Sequence, residues 1–168
     1  MGICTQELKR WVIKPTLQRL QVTNKAAVKL LLGTMAQESA MGSHIKTSGQ
    51  RGLGIYQIHG LTHRHIWDDF LAQQPDLASV VRGLASQRDF LDNPHAELTT
   101  NLSYATAIAW MSYIRHEDFE LPTDADIETL AKLWKRFYHP KSDASCEQFI
   151  TNYHLLVEDI ADGVEQVA

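Results

Sequence analysis

Cysteine is scarce in this sequence of 168 residues: only Cys4 and Cys146 occur, near opposite ends of the chain. A disulfide framework uses more cysteines at closer spacings, so we exclude the class of small, disulfide-stabilised secreted folds. A single bridge between the two residues is geometrically possible. The simpler expectation is two free thiols in a protein made in a reducing compartment, the cytoplasm.

Long apolar runs and a large excess of one charge are also missing. No stretch approaches the roughly 20 apolar residues of a membrane-spanning helix, and the start of the chain lacks the cationic and apolar regions of a secretory signal. The net charge of −4 argues against a broad basic surface for nucleic acid, although it leaves room for a local basic groove. We therefore predict no signal peptide, no membrane insertion and no nucleic-acid partner.

What the sequence does have is the composition of an ordinary globular protein. Apolar residues make up 44% of the chain and charged residues 21%, so the chain can build a core and intrinsic disorder is excluded. The length is that of one domain, which we expect to span residues 1–168.

The apolar residues recur mainly at helical spacings. Pro15 should kink or split the first helix, Thr23 or Asn24 should cap the second, and Thr62 should cap the third. A capping residue followed by Pro94 marks the start of a helix, and the apolar pattern after it predicts one long helix or two abutting helices. The predicted helices cover about 5–20, 24–39, 62–73, 76–86, 94–116, 122–140 and 143–160.

Glycine is concentrated in one segment, because five of the nine glycines lie between Ala40 and Leu61. Glycine permits positive φ angles and close backbone approach, so this segment should be an irregular loop or a short β-ribbon. We therefore predict a mainly α fold of the α+β type, a helical domain with a small Gly-rich loop or β-ribbon beside the helix that ends at Ser39.

Glu38 is the candidate catalytic residue, since it follows the apolar residues of the second predicted helix. A carboxyl group beside an apolar face is partly desolvated, and desolvation favours the protonated form that a general acid needs. The alternative is an ordinary exposed glutamate at a helix end.

The surrounding residues resemble the central motif of the lysozyme-like lytic transglycosylases, the superfamily that also contains the goose-type lysozymes. In that family a Glu-Ser pair ends a core helix, and a Ser, a Gln within Gly-Leu-Met-Gln-Ile and a Thr follow. The corresponding residues here, in the same order and at the same spacing, are Glu38-Ser39, Ser48, Gly54-Ile55-Tyr56-Gln57-Ile58 and Thr62.

The resemblance continues more weakly and covers about residues 25–140. Asn101 and the helix after it look like the Asn-containing helix of the family, with Ala105 where a Gly is usual. Tyr138 matches the Tyr of a Tyr-Asn pair, but His139 stands where the Asn is expected. A Trp-rich terminal helix without a secretion signal is similar to the bacteriophage versions, which act in virions or lysis modules.

The resemblance implies cleavage of the β-1,4 bond between N-acetylmuramic acid and N-acetylglucosamine in peptidoglycan at the bacterial cell wall. Glu38 would donate a proton and then act as base, giving a 1,6-anhydro product. No Asp or Glu lies between Ser39 and Trp67, which agrees with a route that needs no second carboxylate. Asp92 could still supply one, so hydrolysis by water stays open.

The resemblance also implies substrate-binding residues. Ser48 and Gln57 would bind the N-acetyl or lactyl groups, and Tyr138 would orient Glu38 or the acetamido carbonyl. Asn101 would belong to the same site, and Tyr56 would stack on a sugar ring. The alternative for each is capping or core packing, which polar and aromatic residues adopt more often.

His59, His63 and His65 suggest a metal site, but the sequence has no nearby Cys and no His-Glu-x-x-His motif. We expect no metal and no cofactor, and interpret these residues as a surface cluster or as the lining of a sugar cleft.

Several functions stay open at this stage. The first is a lytic transglycosylase whose partner is the peptidoglycan glycan strand, and the second is a lysozyme that uses water. A non-catalytic virion or wall-binding protein, held by other virion proteins, is the third, and a chitinase or chitosanase is the fourth. A basic group, Lys132, Lys135 and Arg136, is either a solvated helix face or an attractor for the anionic wall polymer.

Overall fold

A two-stranded ribbon and a set of packed helices make up the part of the chain that the computed structural model describes, residues 2–46, 49 and 51–158. The protein is mainly helical, and the strands Gly52–Leu53 and Ile58–His59 pair antiparallel. The predicted fold class is therefore confirmed, and the Gly-rich segment contains a ribbon.

The first half of the chain contains two helices, the ribbon and two further helices. In chain order these elements are α1 (5–19), α2 (Lys25–Ser39), β1 (Gly52–Leu53), β2 (Ile58–His59), α3 (60–73) and α4 (Pro75–Leu84). Two of these helices contain a π-helical stretch, Leu8–Ile13 in α1 and Ile66–Phe70 in α3.

The second half is helical in the part that the structure describes. Its elements are α5 (Gln87–Asp92), α6 (94–100), α7 (Leu102–Ile114), α8 (127–138) and α9 (146–158). The last two end in π-helical stretches, Trp134–Tyr138 and His154–Glu158.

The helix boundaries follow local signals, with corrections in α3 and α5 and a later start of α8, which is capped by Asp126 and begins at Ile127, not near residue 122. Asn24 caps α2 as predicted, because its side chain accepts a hydrogen bond from the Ala26 N–H. Pro15 lies in the first turn of the α-helical stretch of α1 that follows the π-helical one, where its missing N–H is tolerated. The helix type therefore changes next to this residue, and the predicted kink stays a prediction. Helix α3 begins at Gly60, before the predicted cap at Thr62. The short helix α5 was not predicted.

The core is centred on α2 and α7. Every residue of α7 from Tyr104 to Tyr113 is buried, so this helix is surrounded by protein on all sides. Gly33 in α2 lets α9 pack closely, because a Cβ at this position would lie 2.3 Å from a ring atom of Phe149. A buried hydrogen bond of 2.7 Å joins the Thr34 and Tyr113 hydroxyls and fixes α2 against α7.

A buried polar chain ties α3 to α6 and α7. His63 is 1% exposed; its Nδ1 lies 2.8 Å from His95 Nδ1, and its Nε2 lies 2.5 Å from the Tyr104 hydroxyl. The Trp67 indole N–H donates to the same hydroxyl at 2.8 Å. Burial, together with the nearby His95, lowers the pKa of His63 to about 4.

This pKa predicts a loss of stability in mild acid. The unfolded chain binds a proton at His63 near pH 6.5, whereas the folded chain binds it only near pH 4, so stability falls as the pH drops between these values. We expect this residue to remove about 3 kcal/mol from the free energy of unfolding at pH 4. Urea unfolding at a series of pH values, with wild type and His63→Gln compared, measures the difference.

The control for this experiment is Arg64→Gln, which changes an exposed neighbour of His63 on α3. It should keep the wild-type pH dependence, while His63→Gln should flatten it. An unchanged slope in His63→Gln would show that the buried imidazole does not resist protonation.

Candidate active site

The end of α2 is tied to the ribbon through Ser39. Its hydroxyl is buried, donates to the Ile55 carbonyl at 2.6 Å and accepts from the Gly42 N–H at 2.9 Å. After Ser39 the chain turns sharply, with positive φ angles at Ala40, Met41 and Gly42. The last turn of the helix therefore lies beside the Gly-rich segment.

Glu38 occupies that last turn and is held by two donors from the end of α8. Its Oε1 accepts a hydrogen bond of 2.8 Å from the Trp134 indole and lies 3.2 Å from Nδ1 of His139. Its side chain is 6% exposed. The alternative of an ordinary exposed glutamate is therefore excluded, and the prediction of a partly desolvated carboxyl group is confirmed.

The Glu38 side chain lines a groove of about 410 Å³. Among the residues that the structure describes, Glu38 is the only carboxylate in its lining, which consists of Gln37, Glu38, His44, Arg51, Gly52, Gln57, His59, Trp134, His139 and Ser142. A smaller cavity of about 70 Å³ adjoins it, because Gln57, His59 and His139 line both. Asp92, considered above as a second carboxylate, is exposed on α5 and does not line the groove.

The groove has a basic character around this one carboxylate. The hydrogen bond to Glu38 raises the pKa of His139 above its usual value, although burial and Lys135 oppose the shift. Next to it, the His59 ring makes an edge contact with the His139 ring at 6.1 Å between centroids. Burial and the charge of His139 lower the pKa of His59. Arg51 adds a fixed positive charge to the same lining.

Gln57 lies in the groove as predicted, but its amide is already engaged. The residue has a φ of 49°, is 8% exposed, and donates from Nε2 to the Gly54 carbonyl at 2.8 Å. The amide thereby stabilises the turn of the ribbon, while the residue lines the groove.

Tyr138 reaches the small cavity, but it does not hydrogen-bond Glu38 in the predicted way. Its hydroxyl donates to the Tyr56 carbonyl at 2.8 Å, and its ring packs on Tyr113 at 5.1 Å between centroids. Burial and then the nearby charge of Glu38 raise the pKa of Tyr138 well above its usual value. The residue anchors the ribbon beside the carboxyl group, and Trp134 orients Glu38 instead.

Two predicted binding residues lie outside the groove. Tyr56 is fully buried and its hydroxyl donates to Thr106 at 3.1 Å, so the predicted stacking on a sugar is wrong; the ring fills the space between ribbon and α7. Asn101 caps α7 by accepting from the Tyr104 N–H and donates to Glu97, so its predicted place in the site is also wrong. Ser48 lies outside the described residues.

The sequence alone gives no role to Trp134, and none to His139 beyond its departure from the pattern of the family that the chain resembles. The π-helical end of α8 brings them together, because the His139 N–H donates to the Trp134 carbonyl at 3.1 Å and both side chains reach the same oxygen. The departure at His139, next to Tyr138, was the one signal that pointed to this pair.

The remaining candidate residues are the histidines near the start of α3 and the basic residues of α8. His63 belongs to the core, His65 is exposed, and only His59 of the three lines the groove. Lys135 donates to the carbonyls of Ser142 and Ala144, and Arg136 pairs with Asp118, so two of the three basic residues on α8 are engaged in local contacts.

Three further findings concern the described ranges. Cys4 and Cys146 are both free thiols. Within the residues described, no group of three His, Cys, Asp or Glu side chains converges as a metal site, and no helix there has both the length and the apolar character that crossing a bilayer requires. No family model, curated protein or solved structure matches the chain.

Proposed function

We propose that this protein is a lytic transglycosylase that cleaves the β-1,4 bond between N-acetylmuramic acid and N-acetylglucosamine in peptidoglycan. The observation that carries the proposal is the setting of Glu38: a nearly buried carboxyl group, oriented by two donors, at a groove with no second carboxylate among the described lining residues. Its partner is the glycan strand of the bacterial cell wall, and no cofactor takes part.

The first step is proton delivery to the glycosidic oxygen. Because Trp134 and His139 both approach Oε1, the other oxygen, Oε2, is the one that carries the proton. Glu38 donates this proton as the bond between C1 and the glycosidic oxygen breaks, and the leaving sugar departs as an alcohol.

The second step needs no carboxylate nucleophile. The acetamido group of the substrate stabilises the positive charge at C1, and the cavity of about 70 Å³ beside His59 has the size for a small substituent of this kind. Glu38, now ionised, takes the proton from the C6 hydroxyl, and O6 bonds to C1. The product is a 1,6-anhydro sugar, and Glu38 regains its proton.

The test is to incubate the full chain with purified sacculi, to follow turbidity and to identify the released muropeptides by mass spectrometry. We expect products that are lighter than the hydrolysis products by one water. Reducing ends instead would replace the proposal with a lysozyme. Binding to sacculi without any product would indicate a wall-binding protein, and cleavage of chitin oligomers alone would indicate a chitinase.

A further inference from the structure

One of the two donors on Glu38 is itself a titratable group. His139 Nδ1 lies 3.2 Å from Oε1, whereas the second donor, the Trp134 indole, keeps its proton at every accessible pH. The His139 side chain is 35% exposed and lines both the groove and the small cavity, so its ring can exchange protons with water there.

Charged and titratable groups face His139 from each of the elements that pack against it. Glu38 faces it from α2, His59 from β2 and Lys135 from its own helix, while Arg51 and His44 contribute to the same groove. The neighbouring cations and burial disfavour the imidazolium. The carboxylate of Glu38 favours it and prevails, so the pKa of His139 lies above its usual value.

We infer that His139 is a positioning residue that shares with Glu38 the proton used in catalysis, so that the pair, and not the carboxyl group alone, sets the alkaline limit of the reaction. This inference rests on the proposed function of the groove. It concerns the position at which this chain departs from the Asn that the resemblance predicts.

The pair can hold its one proton in two ways. In the first, His139 is an imidazolium and Glu38 is a carboxylate. In the second, His139 has lost the proton from Nε2 but still donates from Nδ1 to Oε1, while Oε2 carries the proton that the reaction needs. Both forms contain the same number of protons, so their ratio does not depend on pH.

The consequence is a particular pH profile. Between the pH at which the pair takes up a second proton and the pH at which it loses its last one, a constant fraction of molecules has the reactive carboxylic acid, and the rate is level. Above the pH at which the pair loses this proton, the rate falls tenfold for each pH unit. A neutral side chain at position 139 cannot hold that proton, so the fall would begin at lower pH.

The first experiment compares initial rates of sacculus lysis from pH 4 to pH 9, each profile normalised to its own maximum. His139→Asn keeps an N–H donor but cannot hold the extra proton, so its alkaline fall should lie more than one pH unit below that of the wild type. Trp134→Phe removes the other donor and should lower the rate about tenfold. Any movement of its alkaline fall should be toward higher pH, opposite to that of His139→Asn, because losing a donor to a carboxylate disfavours the ionised form. Thermal unfolding checks that both variants fold.

The second experiment does not depend on activity. An NMR titration of the His139 ring should give a lower pKa in Glu38→Gln than in the wild type, because the amide has no charge to favour the imidazolium. An unchanged titration, or identical normalised profiles for wild type and His139→Asn, overturns the inference while the proposed function stands. Absence of lysis by the wild type overturns both.

Discussion

Replacing Glu38 with Gln is expected to lower the rate of sacculus lysis by at least about 10²-fold, the usual contribution of a general acid or base. Gln has nearly the same shape, and its carbonyl oxygen can still accept the hydrogen bonds from Trp134 and His139. It has no proton to give to the glycosidic oxygen, and it cannot take one from the C6 hydroxyl. Turbidity and product release, measured on the same sacculi, determine the rate.

The matched control is Glu128→Gln, the same chemical change at an exposed position near the start of α8. It should leave the rate unchanged, which excludes a general effect of lost charge. Sedimentation with sacculi should show that Glu38→Gln still binds the wall. A variant that keeps more than a tenth of the wild-type rate would contradict the role of this carboxyl group and favour a binding protein.

Gly54→Ala is expected to destabilise the protein by about 3–4 kcal/mol, the combined cost of a left-handed alanine and of overpacking. Gly54 has a φ of 72°, and a Cβ there would lie 1.7 Å from the carbonyl oxygen of Leu98. That oxygen belongs to the backbone of α6, so the neighbour cannot move aside as a flexible side chain would. Urea unfolding measures the loss.

Gly54→Ala should also disturb the candidate active site around Glu38. The ribbon that Gly54 seats against α6 carries the Ile55 carbonyl that binds Ser39 and the Tyr56 carbonyl that binds Tyr138. Displacing the ribbon would loosen both contacts beside Glu38, so lysis should fall even below the unfolding temperature.

The control for this substitution is Gly83→Ala. Gly83 is exposed near the end of α4, and a Cβ there would meet no atom within 4 Å. Alanine should therefore stabilise the protein by about 0.5–1 kcal/mol through its higher helix propensity. Equal stability of Gly54→Ala and the wild type would mean that the ribbon does not contact α6 in this way.

Local sequence patterns predicted most of the helices and the position of the ribbon. The helical periodicity and the Asn24 cap depend on neighbours within a few residues, so they can be predicted from the sequence. The position of Glu38 at the end of an apolar helix could be predicted for the same reason, since the burial of a helix face follows from the residues on that face. The sequence left open whether one helix or two follow Pro94, and the structure divides them at Asn101.

Long-range contacts limited the prediction of the site. The direction of the Tyr56 ring depends on how the ribbon packs against α7, and a tyrosine in a turn can equally face a ligand or the core. Asn101 shows the same ambiguity, because an Asn suits a helix cap as well as a sugar hydroxyl. In both cases the local sequence agrees with either role.

The amino-acid sequence by itself determined a mainly helical protein with a glycine-rich ribbon and one carboxyl group at the end of a buried helix, because these features follow from periodicity, capping and backbone freedom. Only the tertiary structure decided which groups face that carboxyl group. Trp134 and His139 lie 96 and 101 residues away from Glu38 along the chain. Contacts over such separations depend on how whole helices pack, and the spacing of residues in one segment does not encode them.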